Sequence, residues 1–244
     1  MPGTIELPLV DLGPYLNPKA PGDREKVVAE VREACSQFGF FQVKNHGGLR
    51  VLRYDLREGD ALPDSKEAFY IGREDPVVEP SGFHCSNVWP DMAEQDFHDP
   101  VWQYYEDSGK LGRTIWEILL EGLNQPVSTL EGQFGVGAHN GFGGVTVLLQ
   151  QPGREGLEVW VESEEAWLPV PSLEDVYVIN CGDIIMKWSG GVYMSARHRV
   201  VNKDDHERLS FATFWHGDVG ASNPLDPDAP RETVGQLLVK RFGS

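Results

Sequence analysis

The sequence predicts a mainly β protein, a jelly roll with flanking α-helices, and three observations lead to that prediction. From residue 145 onward, short segments rich in Val, Ile and aromatic residues alternate with turn sequences such as PGREG and PSLED. Several short strands at this spacing are typical of a β-sandwich or jelly roll rather than a parallel sheet. Two helical patterns precede this β-rich half and a third closes the chain. The length of 244 residues suits one domain.

The N-terminal residues predict a strand, a helix and a second strand. IELPLVDL indicates a short strand, which Pro8 places at a sheet edge. In PGDREKVVAEVREACSQFG we expect a helix with Asp23 as its N-cap and Gly39 just beyond its end. Its apolar positions recur at helical spacing: Val27, Val31, Ala34, Cys35 and Phe38. FFQVKNHG, residues 40–47, then alternates as a strand does.

A long loop and a second helix come next. Periodicity is weak from Gly48 to Pro100, and the many Pro, Gly, Asp and Glu residues predict a surface loop. A helix begins near Asp99 and Pro100, an N-cap and first-turn pair, and runs through VWQYYEDSGKLGRTIWEILLEGL. The predicted strands that follow are VTVLLQQ, GLEVWVES, DVYVINCGDIIMKW, ARHRVV and RLSFATFWHG, and the closing helix is RETVGQLLVKRF.

Charge and composition argue against several partner classes. The formal net charge of −17 makes nucleic acid and anionic membranes poor partners, because both require clustered positive charge. We expect no signal peptide in MPGTIELPLVDLG and no membrane-spanning segment. Three scattered cysteines, Cys35, Cys85 and Cys181, predict reduced thiols in a cytoplasmic protein.

Four side chains near the ends of predicted strands point to a metal with an organic acid beside it. His139 precedes VTVLLQQ and His198 lies in SARHRVV, and strand-end imidazoles in a jelly roll suit iron, copper or zinc. Arg208 and Ser210 share one face of the next strand, where a guanidinium and a hydroxyl form a fork for a carboxylate. The alternative for Arg208 is a surface ion pair with the acids of KDDHE.

The sequence resembles the iron(II)/2-oxoglutarate-dependent dioxygenases, in the branch of isopenicillin N synthase and the fungal and plant small-molecule hydroxylases. The matching stretches are LPLVDLGPYL, FGFFQVKNHG, EAFYIGREDP with WPD, HNGFGGVTVLLQQ, GLEVWV, VINCGDIIMKWSGGVYMSARHRVV and ERLSFATF. They stand in the family's order over most of the chain. The resemblance implies a double-stranded β-helix core. It divides one structural unit into residues 1–98, which carry the substrate-side loop, and residues 99–244, the helix and jelly roll.

The resemblance also implies ligands and cofactors. His139 and His198 match the first and last Fe(II) ligands, while Arg208 and Ser210 match the pair that binds the distal carboxylate of 2-oxoglutarate. Gly141 stands where the family has Asp, and no other catalytic residue is assigned. Two further departures are a shortened stretch after KNHGG and a missing strand before GVGAHNG, which in the family carries a cosubstrate contact.

Three explanations for Gly141 stay open. Chloride fills the position that Asp leaves, which would make the protein a halogenase; the iron site has decayed; or the change is an accident or an engineered replacement in a once-active hydroxylase. Asp183 is a weaker candidate for the lost carboxylate, because a Gly-Asp pair ordinarily marks a turn.

The expected function is therefore an Fe(II)/2-oxoglutarate-dependent oxidation of a small organic molecule in secondary metabolism, by hydroxylation or halogenation. The alternative is a catalytically degenerate member of the fold that binds a small acid or a protein partner. The substrate and the oligomeric state are left open by the sequence.

Overall fold

Two β-sheets packed face to face, with helices on the outside of the larger one, form the protein. The structure, a computed structural model, describes residues 5–47, 69–72, 87–130, 143–201, 207–216, 220–226, 228 and 231–242. The helices are α1 (Gly13–Leu16), α2 (Asp23–Gln37), α3 (His98–Gly122), α4 (Asp183–Trp188) and α5 (Val234–Phe242). The strands are β1 (Leu9–Asp11), β2 (Phe40–Lys44), β3 (Val145–Gln150), β4 (Leu157–Val161), β5 (Ala166–Pro169), β6 (Tyr177–Cys181), β7 (His198–Val200) and β8 (Ser210–Trp215).

The large sheet has the strand order β1-β2-β6-β3-β8, and the small sheet has the order β5-β4-β7. Only β1 and β2 run parallel to each other, and the other pairs described are antiparallel. Strands from the N-terminal region thus belong to the same sheet as strands from the C-terminal half. Both β7 and β8 are edge strands among the residues described here, and they follow one another in chain order.

Apolar side chains form two clusters, one on each face of the large sheet. The larger cluster joins the outer face to α2 and α3, with Val31, Ile115 and Ile179 among its fully buried members. The smaller cluster lies between the sheets and includes Phe40 of the large sheet and Val159 of the small one. Because successive strand residues point to opposite faces, the three central strands β2, β6 and β3 contribute to both clusters.

The helix predicted at residues 23–38 is present, but its N-cap assignment is wrong. The cap position is Gly22, at φ 90°, and Asp23 is already helical. The Asp23 carboxylate accepts the backbone N–H groups of Lys19 and Ala20, at 2.7 and 2.8 Å, so it closes the loop that precedes the helix. Gly39, at φ 63°, ends the helix as predicted.

The second half contains one helix where a strand was predicted. DVYVINCGDIIMKW divides into β6 and the helix α4, because the chain turns at Gly182. Asp183 is the first residue of α4, so the Gly-Asp pair starts a helix and does not form a hairpin turn, and the Asp183 carboxylate accepts a hydrogen bond from the Ser195 hydroxyl at 2.7 Å. The strand β5, in a stretch that the pattern left unassigned, pairs with β4. In the part of the chain that the structure describes, no helix has the length and apolarity needed to cross a membrane.

Candidate active site between the sheets

The inner face of the large sheet carries polar side chains near its β8 edge. Register and alternation place Gln150 of β3 beside Ser210 of β8 on this face. Ser210 and Ala212 are exposed, whereas the inner-face residues of β2 and β6 are buried under the small sheet. Among the described residues, the three strands of the small sheet therefore leave the inner face of β8 exposed, and this opening is the candidate site.

His198 enters the space between the sheets from the opposite side. It pairs with the buried Val159 in the β4–β7 register, and its ring centroid lies 5.2 Å from that of Phe40 in the large sheet. The imidazole is nevertheless exposed to solvent. Its Nδ1 lies 3.2 Å from the carbonyl oxygen of Ala196. A carbonyl can only accept, so this contact favours the tautomer that carries hydrogen on Nδ1 and leaves the Nε2 lone pair for a ligand.

Arg208 lies half-buried just before β8. One Nη2–H donates to Gln150 Oε1 at 2.9 Å, while the Nε–H is buried without a hydrogen-bond partner. No carboxylate of the described residues lies within ion-pair distance of this guanidinium, and burial lowers the pKa of Arg208. A half-buried cation with a buried, unused donor is costly unless a hydrogen-bond acceptor, best an anion, completes its surroundings. Such a guanidinium is suited to bind a carboxylate.

Arg208 lies close to the strand of the small sheet that carries His198. A Cβ built on Gly156 would lie 3.7 Å from both Arg208 Cδ and Val200 Cγ1, so Arg208 packs beside the end of β7. Val200 follows His198 by two residues on the same face of that strand. Two residues of strand span about 7 Å, so a short ligand can reach from the imidazole to the guanidinium.

The structure brings together three of the four residues that the sequence singled out. His198, Arg208 and Ser210 border one opening, whereas His139 and Gly141 lie outside the described residues. Within the described ranges, no group of three His, Cys, Asp or Glu side chains is placed to hold a metal ion.

Sequence reasoning missed Gln150 and Phe40. Gln150 holds the Arg208 guanidinium and is 2% exposed, and Phe40 lies against the His198 ring. The strand pattern of VTVLLQQ does place Gln150 on the opposite face from Leu149. Its pairing with β8, however, is a contact between distant parts of the chain that local patterns do not reveal.

Known proteins share both the sequence and the fold. The profile of the 2OG-Fe(II) oxygenase superfamily matches residues 122–217, and that of the N-terminal region of non-haem dioxygenases in morphine synthesis matches residues 7–59. The 2-oxoglutarate-dependent dioxygenase thnC of Trichoderma harzianum is 53% identical over 298 aligned positions, which cover 98% of this chain and 93% of the relative. The chain belongs to the 2OG-Fe(II) oxygenase superfamily. The dioxygenase traH of Penicillium crustosum, at 36% identity over 97% of this chain and 92% of its own, agrees with that membership.

A solved structure extends the comparison to the fold of this oxygenase. A full-length protein of Neurospora crassa, crystallised in complex with alpha-KG, superposes with a TM-score of 0.76 at 20% identity, covering 98% of this chain and 96% of that one. The predicted mainly β, jelly-roll fold is confirmed. So is the predicted class, an Fe(II)/2-oxoglutarate-dependent oxygenase. The 298 positions aligned with thnC exceed the 244 residues of this chain, so that relative has residues without a counterpart here.

The comparisons give no support to the other two expectations. The two fungal relatives named above are both called dioxygenases, and neither is named a halogenase or a non-enzymatic binding protein. Chloride at Gly141 and a degenerate binding role therefore have no finding in their favour. The predicted exclusion of nucleic acid and the cytoplasmic location stay predictions.

Proposed function

We propose that this chain oxidises a small organic molecule of secondary metabolism at the opening between β7 and β8, with His139 and His198 as iron ligands and Arg208 and Ser210 as the 2-oxoglutarate site. The observation that carries the proposal is the half-buried Arg208 guanidinium, whose Nε–H has no partner. It lies beside the strand that presents His198. The curated relatives are fungal 2-oxoglutarate-dependent dioxygenases, which agrees with a role in secondary metabolism.

The described donors fit both groups that the family uses. The Nδ1 contact of His198 with a backbone carbonyl is the arrangement that orients an imidazole toward a metal through Nε2. Arg208 offers an unused, charge-assisted donor to a carboxylate, and Ser210 adds a hydroxyl on the inner face. When bound, Fe(II) and 2-oxoglutarate would supply the oxidation of a C–H bond by O2, with one oxygen atom going to the substrate and the other to succinate as 2-oxoglutarate loses CO2.

The protein's own residues then have separate tasks. Gln150 accepts from Nη2 and so fixes the plane of the Arg208 guanidinium, while Gln150 itself donates to the carbonyl of Pro171 at 3.3 Å. Phe40 packs against the His198 ring and keeps water from that side of the imidazole. The exposed inner face of β8 at Ala212 leaves room for a substrate.

The test is the binding of 2-oxoglutarate to the Arg208→Gln variant. The protein is loaded anaerobically with Mn(II), and the dissociation constant for 2-oxoglutarate is measured by calorimetry. A hydrogen bond to a charged group contributes roughly 1.5–3 kcal/mol, so the loss of one should weaken binding about 10- to 100-fold. Ser210→Ala should weaken it less, by about 5-fold, because a neutral hydrogen bond is worth about 1 kcal/mol.

Arg113→Gln is the matched control, since Arg113 forms an exposed ion pair with Glu117 on α3, on the outer side of the large sheet. Equal affinity of the wild type and Arg208→Gln for 2-oxoglutarate would remove Arg208 from the cosubstrate site. For the metal, Gly141→Asp should raise Fe(II) affinity; unchanged affinity would mean that position 141 does not face the metal.

A further inference from the structure

The outer face of the small sheet, behind His198, carries two arginines on and beside the strand β7. Alternation directs His198 inward and its neighbours Arg197 and Arg199 outward. The outward side chains meet a pair of tryptophans, Trp160 of β4 and Trp167 of β5, whose ring centroids lie 5.4 Å apart at 65°. Cationic and aromatic side chains thus interleave directly behind the imidazole.

Arg199 makes the stronger set of contacts. Its guanidinium carbon lies 4.1 Å from the centroid of Trp167, and both Nε and Nη2 approach Glu158 Oε2 at 2.8 Å. The Glu158 side chain is only 15% exposed, so water screens this pair less than it screens an open surface pair. A planar guanidinium can stack on an aromatic ring and donate two hydrogen bonds to a carboxylate at the same time, which an ammonium cannot do.

Arg197 makes a weaker version of the same arrangement. Its guanidinium carbon lies 5.0 Å from the centroid of Trp160, and its contact with Glu162 is 3.3 Å long. Both partners of that ion pair are well exposed, at 68% and 74%, and such pairs contribute little. Trp160 also bonds to the start of β7 through its backbone, as its N–H donates to the Arg197 carbonyl at 2.8 Å.

The strand β7 needs such support. It has three residues, all exposed, and β4 is its one partner in the described part of the small sheet. Short edge strands fray easily, and a slip by one residue would turn His198 outward and Arg199 inward. The contacts of Arg199 lock the outward direction of that residue and therefore the inward direction of His198.

We propose that Arg199, stacked on Trp167 and paired with Glu158, is a positioning residue that fixes the orientation of the His198 imidazole. This inference rests on the proposed function in that the imidazole so held is the proposed metal ligand. Arg199 itself touches neither metal nor substrate. Residues that orient a ligand typically change metal affinity about 10- to 100-fold when they are removed.

The experiment combines metal affinity with a direct view of the imidazole. Ni(II), which is not oxidised by air, is titrated into the full chain and its dissociation constant is measured. The proteins compared are the wild type, Arg199→Ala, Arg199→Lys and Trp167→Phe, with Arg113→Ala as the control. We expect about 10-fold weaker Ni(II) binding in Arg199→Ala and Arg199→Lys, the lower end of the range for orienting residues. Trp167→Phe keeps an aromatic face and should stay close to the wild type, as should Arg113→Ala.

The second readout needs no metal. Long-range ¹H–¹⁵N NMR at about pH 8, where an ordinary imidazole is neutral, reports the tautomer of His198. The wild type should hold hydrogen on Nδ1, bonded to Ala196, and Arg199→Ala should show both tautomers. If Arg199→Ala does not fold, Arg199→Lys, which keeps the charge but loses the fork and the stacking, takes its place in both measurements.

The two readouts separate this inference from the proposed function. If His198→Ala binds Ni(II) as tightly as the wild type, the proposed metal role of His198 is wrong, and the NMR result alone decides whether Arg199 orients the ring. An unchanged His198 tautomer in Arg199→Ala and Arg199→Lys would overturn the positioning role. So would a fall in melting temperature without any change in Ni(II) affinity or tautomer, because that would be a purely structural effect.

Discussion

Replacing Gly112 by alanine should destabilise the protein, although the same change usually stabilises a helix. Gly112 lies in the middle of α3 and is buried. A Cβ at that position would lie 2.5 Å from Trp215 Cδ1 and 2.6 Å from its Cγ. Trp215 is 5% exposed and belongs to the large apolar cluster, so its indole has little room to move. The helix and the strand β8 would have to separate.

The two opposing effects can be weighed against each other. Overpacking of a core typically costs about 1–3 kcal/mol, while Gly to Ala in a helix interior contributes about 1 kcal/mol of stability. With backbone on one side and a rigid indole on the other, the upper part of the first range applies, so a net loss of about 1–2 kcal/mol is expected. For a chain of this size that corresponds to a fall in melting temperature of about 3–6 °C.

Thermal unfolding followed by near-ultraviolet circular dichroism measures this effect, and Gly109→Ala is the matched control. A Cβ on Gly109 would lie 3.1 Å from Trp215 Cζ2, so the ring needs to yield only slightly and the melting temperature should stay close to that of the wild type. In a Trp215→Phe background the smaller ring should relieve the clash and make Gly112→Ala neutral or stabilising. A stabilisation of about 1 kcal/mol by Gly112→Ala alone would refute the close packing of α3 on β8.

Three further predictions concern groups away from the site. Burial lowers the pKa of His46, so as the pH falls the unfolded chain binds a proton at this residue before the folded protein does. The free energy of unfolding should therefore fall as the pH drops below about 6.5. Between about pH 7.5 and pH 5.5 the melting temperature should fall less for His46→Gln than for the wild type. Cys35 and Cys181 are buried and burial raises the pKa of the Cys35 thiol, so a disulfide reagent should titrate both only after guanidinium is added. The buried Tyr193 hydroxyl donates to the Leu119 carbonyl at 2.7 Å, so Tyr193→Phe should cost about 1 kcal/mol by urea denaturation.

Local chemistry explains which elements the sequence could predict. Gly39 marks the end of α2 because it adopts a positive φ, and Pro100 is compatible with the first turn of α3, where no N–H is needed. The two incorrect assignments have different causes. The Asp23 carboxylate accepts backbone N–H groups of the loop before α2 and not of the helix itself, and the residues of α4 have a strand-like composition. Ile184 and Ile185 read as a continuation of β6, yet they are buried in a helix that begins after Gly182 turns the chain.

The candidate site was predictable to the extent that its residues share a strand. Alternation continued back from β8 places Arg208, which lies just before the strand, on the same side as Ser210 without any knowledge of the rest of the fold. Gln150 pairs with Ser210 across 60 positions of sequence, and Phe40 reaches His198 from the N-terminal region. Such contacts depend on strand order, and strand order follows from tertiary packing rather than from local sequence patterns.

Alternate residues of β8 face two different parts of the protein, the helix α3 on one side and the candidate site on the other. On its outer side Phe211 packs 5.5 Å from Tyr104, and Thr213 Oγ1 donates to Ser108 Oγ at 3.0 Å. Its inner residues, at positions 210, 212 and 214, belong to none of the buried clusters that the structure describes. A mutation at position 212 or 214, away from the proposed cosubstrate residue Ser210, would therefore change the surface of the opening while leaving the helix interface intact. At the proposed substrate opening, changes along this face of the strand would then avoid the loss of stability that limits most routes to a new enzyme.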